Sequence, residues 1–246
     1  MSTAQAQSLL AQAAAQELLR ATKTGDRTQI STSRQRLQAL TVDELESELN
    51  TQNKRLAFWV NCYNAFAQLI IEDARTADGK VNTSVFSKKR IAIGGHAMSL
   101  DDIEHGILRK SQWKLGLGYI RKWFPGKFER RLRVFELDPR IHFALNCGAT
   151  SCPVIGFYEA ESIDESLDLA TRQYLEQTVD FDTEQNVVHV PKVFSWFRGD
   201  FGGKSGTREL LLQYELIPED TKPRIKYKDW DWTLRLGNFS KVETDN

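Results

Sequence analysis

The chain has 246 residues, enough for one large domain or two small ones. Its 33 basic and 33 acidic side chains balance, so its overall charge does not call for nucleic acid or an anionic membrane as a partner. No apolar run approaches the roughly 20 residues that span a bilayer, and an odd count of three cysteines fits free thiols in a reducing cytoplasm better than a disulfide framework.

Met1 to Leu19 has no charged region before a solid apolar block, so it is not expected to be a signal peptide. Residues 4–22 predict a helix with Leu9, Leu10, Ala13, Leu18 and Leu19 on its apolar side. A second helix is predicted over about 27–40. Thr41-Val42-Asp43-Glu44 is a capping box that starts a third at Val42. Leu56 to Ala74 predicts a long buried helix, and Asp78-Gly79 closes that region.

Strand signals lie at Arg90–Ile93 and His96–Met98. Ser99-Leu100-Asp101-Asp102 is a further capping box and opens a helix over about 100–110. Residues 111–131 mix aromatic and basic side chains. They read as core residues beside solvated charges, with single-stranded nucleic acid as the lesser reading. Arg133–Leu137 and Ile141–Asn146 predict short strands around an Asp-Pro turn. Ser162-Ile163-Asp164-Glu165 caps a helix over about 163–178, and a strand at Val187–Val190, an aromatic segment from Phe194, a helix over 206–214 and a strand near Ile225–Tyr227 follow. The expected fold is α+β, a helix-rich single domain around a small, mostly antiparallel sheet. Residues 1–45 would form an N-terminal helical extension and residues 46–246 the domain proper.

Chemistry concentrates in Asp138 to Pro153, which holds His142, Asn146, Cys147 and Cys152 beside small residues. Strand parity would turn Ile141, Phe143 and Leu145 to the core and His142 and Asn146 to the other face. His142 is then an awkward base for Cys147, but Cys152 could return to it. Gly148 permits a sharp turn, and free backbone N–H groups there could hold an oxyanion in acyl transfer. Cys152 precedes Pro153, a residue that favours the start of a helical turn, where amide dipoles lower a thiol pKa. The plain alternative makes both cysteines small buried hydrophobes. A Cys147–Cys152 disulfide does not suit a cytosolic protein, and H-x4-C-x4-C matches no usual zinc spacing, so no metal is expected.

On the 100–110 helix, Asp101, His105 and Arg109 fall in one row, with Glu104 adjacent. A carboxylate one turn from His105 would orient it as a general base; the plain reading is a helix ion pair. Asn61 and Asn64 share a face of the greasy helix. They would pin a neighbouring loop or help position a carbonyl substrate. His96 and His189 are weaker candidates.

Phe58-Trp59-Val60-Asn61-Cys62-Tyr63-Asn64-Ala65, Ser99–Arg109 and Asp138–Pro153 together resemble the signatures of domain of unknown function family 547. Val193 to Phe201 and Asp229-Trp230-Asp231-Trp232 fit the same pattern, and the resemblance spans roughly residues 50–235. It implies a likeness to papain-like or transglutaminase-like cysteine hydrolases, and places His105, His142, Cys147 and Cys152 at motif positions. Related chains are joined to leucine-zipper, redox or signalling segments.

Two readings follow. In one, Cys147 or Cys152 attacks an amide or ester, His105 or His142 takes the proton, and Asp101 or Glu104 orients the histidine. Asn61, Asn64, Asn146, Gly148 and Arg109 would then contact a small-molecule or peptide substrate. In the other, the same residues form a hydrogen-bonded core of a non-catalytic interaction module, with the N-terminal helices as its partner surface. A thiol redox protein comes third, because C-x4-C lacks the C-x-x-C spacing. No cofactor, membrane or nucleic acid is implied.

Overall fold

The computed structural model describes residues 10–72, 74 and 76–241. Leu9 and the start of the first predicted helix lie outside the described residues. Helix α1 covers Leu10–Thr24, α2 Arg27–Ala39, α3 Val42–Glu48 and α4 Gln52–Glu72. Ala11, Ala14, Ala15, Leu18 and Leu19 recur at helical spacing on α1, and all are buried. The small alanines let α1 lie close along α4. Its first turn is closed by Glu48, whose carboxylate accepts the N–H groups of Ala11 and Gln12 at 3.0 and 2.9 Å. A negative group there also complements the helix dipole. The Thr41–Glu44 capping box forms as the sequence predicts.

Helix α4 is the axis of the fold, with most of its length buried. Around it runs a large apolar cluster that takes in α1, α2, α3 and the segments up to Leu167. The N-terminal helices are therefore built into the same core as α4.

Strands β1 (Ile91–Ile93) and β2 (His96–Met98) form an antiparallel hairpin. Asp102–Leu108 then forms a wide π-helical turn, with Arg109 N–H reaching Glu104 O and Ser111 N–H reaching Gly106 O, each five residues back. A predicted α-helix is thus partly replaced by a looser turn, a feature often met at functional sites. The Ser99–Asp102 box still opens it, each residue bonding the other's backbone N–H.

Helix α5 (Lys127–Leu132), α6 (Ile163–Thr178), the short α7 (Val193–Trp196) and α8 (Gly203–Gln213) follow. Strands β3 (Asp180–Asp182), β4 (Val187–Val190) and β5 (Arg224–Tyr227) make a second sheet. In it β3 pairs antiparallel and β5 parallel with β4. A second apolar cluster, including Phe194, Leu175, Val188 and Leu211, sits under this sheet. The fold is helix-rich α+β, as expected, with two small sheets among the described residues in place of one. Among the described residues, no helix is long and apolar enough to cross a membrane.

Two strand predictions fail. Pro139–Phe143 is a 3-10 turn, capped by the Asp138 side chain on Arg140 N–H at 2.9 Å. The alternating Ile141, Phe143 and Leu145 mimic a strand, but the Asp cap and Pro at the first position start a helical turn. Leu145 N–H accordingly returns to Ile141 O at 3.0 Å. The parity argument for His142 and Cys147 has no basis in this geometry. Arg133–Leu137 bends at Phe135 and Glu136 and forms no strand; the Gln52 amide ties it down, bonding Phe135 N–H, Glu136 N–H and Glu136 O.

The 3-10 turn joins the two cores. Ile141 and Ala144 belong to the first cluster and Phe143 to the second. The functional side chains lie at this seam.

Candidate active site

The loop after the 3-10 turn is fixed by a chain of buried amides. Asn64, on α4, donates to Ala144 O at 3.0 Å and accepts Asn146 N–H at 2.9 Å. Asn146 then donates to Pro153 O at 2.6 Å and accepts Gly148 N–H at 2.8 Å. Asn61 clamps Tyr158 in the same two-handed way, at 2.7 and 3.1 Å. All three asparagines are fully buried with both ends of the amide engaged. They hold backbone and do not line the cavity. Gly148 has a φ of 79°, and a Cβ there would press on Ile71 at 3.1 Å, so the turn needs glycine. The C-terminal segment laces the loop down from outside: Arg235 N–H meets Gly148 O, and Thr150 N–H meets Thr233 O.

This scaffold brings Cys147 and Cys152 together, with their sulfurs 2.7 Å apart. Cys147 N–H also points at Cys152 Sγ, at 3.1 Å. Both thiols are free. The hydrogen bond to Cys152, with burial behind it, pushes the Cys147 thiol well above its usual pKa. Cys152 Sγ thus accepts the Cys147 N–H and shares one S–H hydrogen bond with Cys147 Sγ. The backbone N–H groups that the sequence offered to an oxyanion are engaged: Cys147 on sulfur, Gly148 on Asn146, Cys152 on Ala149 O.

Both cysteines line a cavity of about 440 Å³. So do His105, His142, Asp101 and Glu104, which the sequence predicts, and Tyr63 and Lys114, which it does not. The remaining walls are apolar, dominated by Trp196, Trp230, Trp232, Phe86 and Phe197.

The two histidines differ sharply. His105 Nδ1 lies 3.0 Å from Arg109 Nη1. A guanidinium only donates, so Nδ1 must accept and the proton sits on Nε2. Burial, and after it the Arg109 charge, drives the His105 pKa down to about 2. Its lone pair is engaged, and it is no base. Asp101, 3.6 Å from Nε2, is drawn instead to Lys114 at 2.7 Å.

His142 Nε2 lies 2.8 Å from Asp200 Oδ2, and its ring stacks on Phe197 at 4.0 Å. Burial would raise the Asp200 carboxyl, but bonds from His142 and Arg109 outweigh it and keep the group ionised. The carboxylate accepts Nε2–H, which leaves Nδ1 as the basic nitrogen. Burial lowers the His142 pKa against the pull of Asp200, so the ring is neutral near pH 7. Arg109, fully buried, grips Asp200 through Nε at 2.6 Å and Nη2 at 3.0 Å. It is a structural brace and does not line the cavity.

Glu104 receives the Tyr63 O–H at 3.2 Å, and burial raises its pKa to about 7. Among the described residues there is no cluster suited to a metal.

The family model for proteins of unknown function DUF547 matches residues 46–175. The chain belongs to this family. Comparison with curated proteins and with solved structures finds no match. The DUF547 match covers α4, the π-helical turn and the cysteine loop, and so contains Cys147, Cys152, His105 and His142. Asp200 and the tryptophan wall lie beyond it. Sequence reasoning missed Asp200, although it sits inside the Val193–Phe201 segment; a lone acid in an aromatic run gives no sign of the histidine 58 positions away. Of the residues expected to contact substrate, Asn61, Asn64, Asn146, Gly148 and Arg109 all stand behind the cavity wall.

Proposed function

We propose that this DUF547 protein is a thiol-dependent hydrolase or acyltransferase. The reading rests on one observation: the thiol pair and a neutral, carboxylate-oriented His142 share one cavity wall. Cys152 sulfur forms a bond to the carbonyl carbon of an amide or ester, and its proton passes to His142 Nδ1. Negative charge moves from sulfur to the carbonyl oxygen, and Cys147 N–H, released from the sulfur, can follow it. His142 returns the proton to the departing amine or alcohol. Water, deprotonated by the same nitrogen, or a second nucleophile then cleaves the thioester. Asp200 keeps the ring in the Nε2–H tautomer and stabilises the imidazolium between these steps.

The apolar walls favour a substrate with an aromatic or aliphatic acyl group. The test is incubation with a panel of nitrophenyl esters, followed by mass spectrometry of the denatured protein. The expected result is an acyl adduct on the Cys152 peptide, absent from Cys152→Ser. Absence of any adduct, or adducts spread over surface lysines, would favour the non-catalytic interaction module.

A further inference from the structure

Residues 111–122 form a hairpin closed by Trp113 N–H to Ile120 O at 2.8 Å and Lys122 N–H to Ser111 O at 2.8 Å. It is pinned from below. Gly199 N–H bonds Leu117 O at 2.7 Å, and Gly118 packs so tightly on Asp200 that a Cβ there would fall 2.4 Å from its Oδ1. The hairpin and the following turn nevertheless hold out large apolar side chains. Phe124 is 92% exposed, Trp123 86% and Leu115 72%. Scattered exposed apolar residues need no explanation, but a continuous ridge of them marks a contact surface.

Its charge identifies the contact. From Lys110 to Arg133 the chain has eight lysines and arginines against a single acid, Glu129. Glu129 pairs with Lys122, Lys114 with Asp101, and Arg131 with Asp43 and Glu46, which leaves Lys110, Arg121, Lys127, Arg130 and Arg133 as the local excess. Arg121 and Lys127 flank the ridge, both exposed and outside any ion pair among the described residues. Whole-chain neutrality hides this local excess. Aromatic side chains projecting from a basic rim are the composition of a bilayer interface, where rings sit among headgroups and cations meet acidic lipid. The aliphatic Leu115 and Ile120 between them suit acyl chains and offer nothing to stack on a nucleobase.

We propose that the 113–124 ridge docks on anionic phospholipid bilayers. The same hairpin lends Leu115 and Leu117 to the cavity wall, so a docked bilayer lies beside the cavity. The proposal does not depend on the thiol chemistry.

The full chain should sediment with phosphatidylcholine vesicles that contain phosphatidylglycerol, and much less with phosphatidylcholine alone. Trp123→Ser with Phe124→Ser should weaken that binding about tenfold or more, as should Arg121→Glu with Lys127→Glu. All four positions are exposed, so circular dichroism and melting should match the parent. Failure to sediment with the mixed vesicles, or binding unchanged in both double variants, would overturn the proposal. So would binding of a single-stranded oligonucleotide, abolished by the same variants, with no vesicle binding.

Discussion

Asp200 is the acceptor for both His142 and Arg109: its Oδ2 lies 2.8 Å from the imidazole and 2.6 Å from the guanidinium Nε. A fully buried cation and a buried carboxylate depend on each other here, and removing either strands the other. Asp200→Ala should therefore lower stability by about 3–5 kcal/mol in urea unfolding. Asp200→Asn keeps the shape, loses the tautomer control, and should reduce turnover of a reactive ester by about 10²–10⁴-fold with less effect on KM.

Cys147 and Cys152 should behave differently. Cys147→Ser retains an O–H donor toward Cys152 and should leave Cys152 alkylation close to the parent rate. Cys147→Ala removes the hydrogen-bonding partner and should change the rate of Cys152 alkylation. Equal effects from the two substitutions would show that the S–H to sulfur bond has no influence.

Glu104 carries a titration to the cavity. Its pKa is raised from 4.5 in the unfolded chain to about 7. Between those values the native state holds a proton that the unfolded state releases, so its contribution favours the fold below about pH 4.5 and fades as pH rises through 7. Glu104→Gln should raise the Tm at pH 8 and change it little at pH 4. Melting across that range checks the sign.

Asn64 is a brace without chemistry. Asn64→Ala leaves Ala144 O and Asn146 N–H buried and unpaired, at a cost of about 3 kcal/mol. The variant should also lose selective Cys152 labelling, because the loop that joins the two sulfurs hangs on this amide. Thermal unfolding and labelling together measure both effects.

Local signals were legible in the sequence because the side chain that ends an element lies within a few residues of it. The Thr41–Glu44 and Ser99–Asp102 boxes form as read, the Ser162 side chain makes no capping bond, and the α4 and α6 helices follow from their patterns. The segment Ile141–Leu145 was misread because apolar alternation has the strand period, while the decisive signal was the Asp138-Pro139 start of a turn. Cys147 and Cys152 stood out by composition, but their 2.7 Å approach depends on Asn64, 82 residues from the N–H it holds. Asp200 was invisible for the same reason: its meaning comes from Arg109 and His142, on two other parts of the chain.

The most direct measurement is the rate of iodoacetamide labelling of each cysteine in the native protein from pH 5 to 9, with the label located by peptide mass. The account predicts fast modification of Cys152, slow modification of Cys147, whose thiol is held protonated, and loss of the Cys152 reactivity in His142→Ala. Inert cysteines until denaturant is added, or a Cys152 rate indifferent to His142, would contradict it.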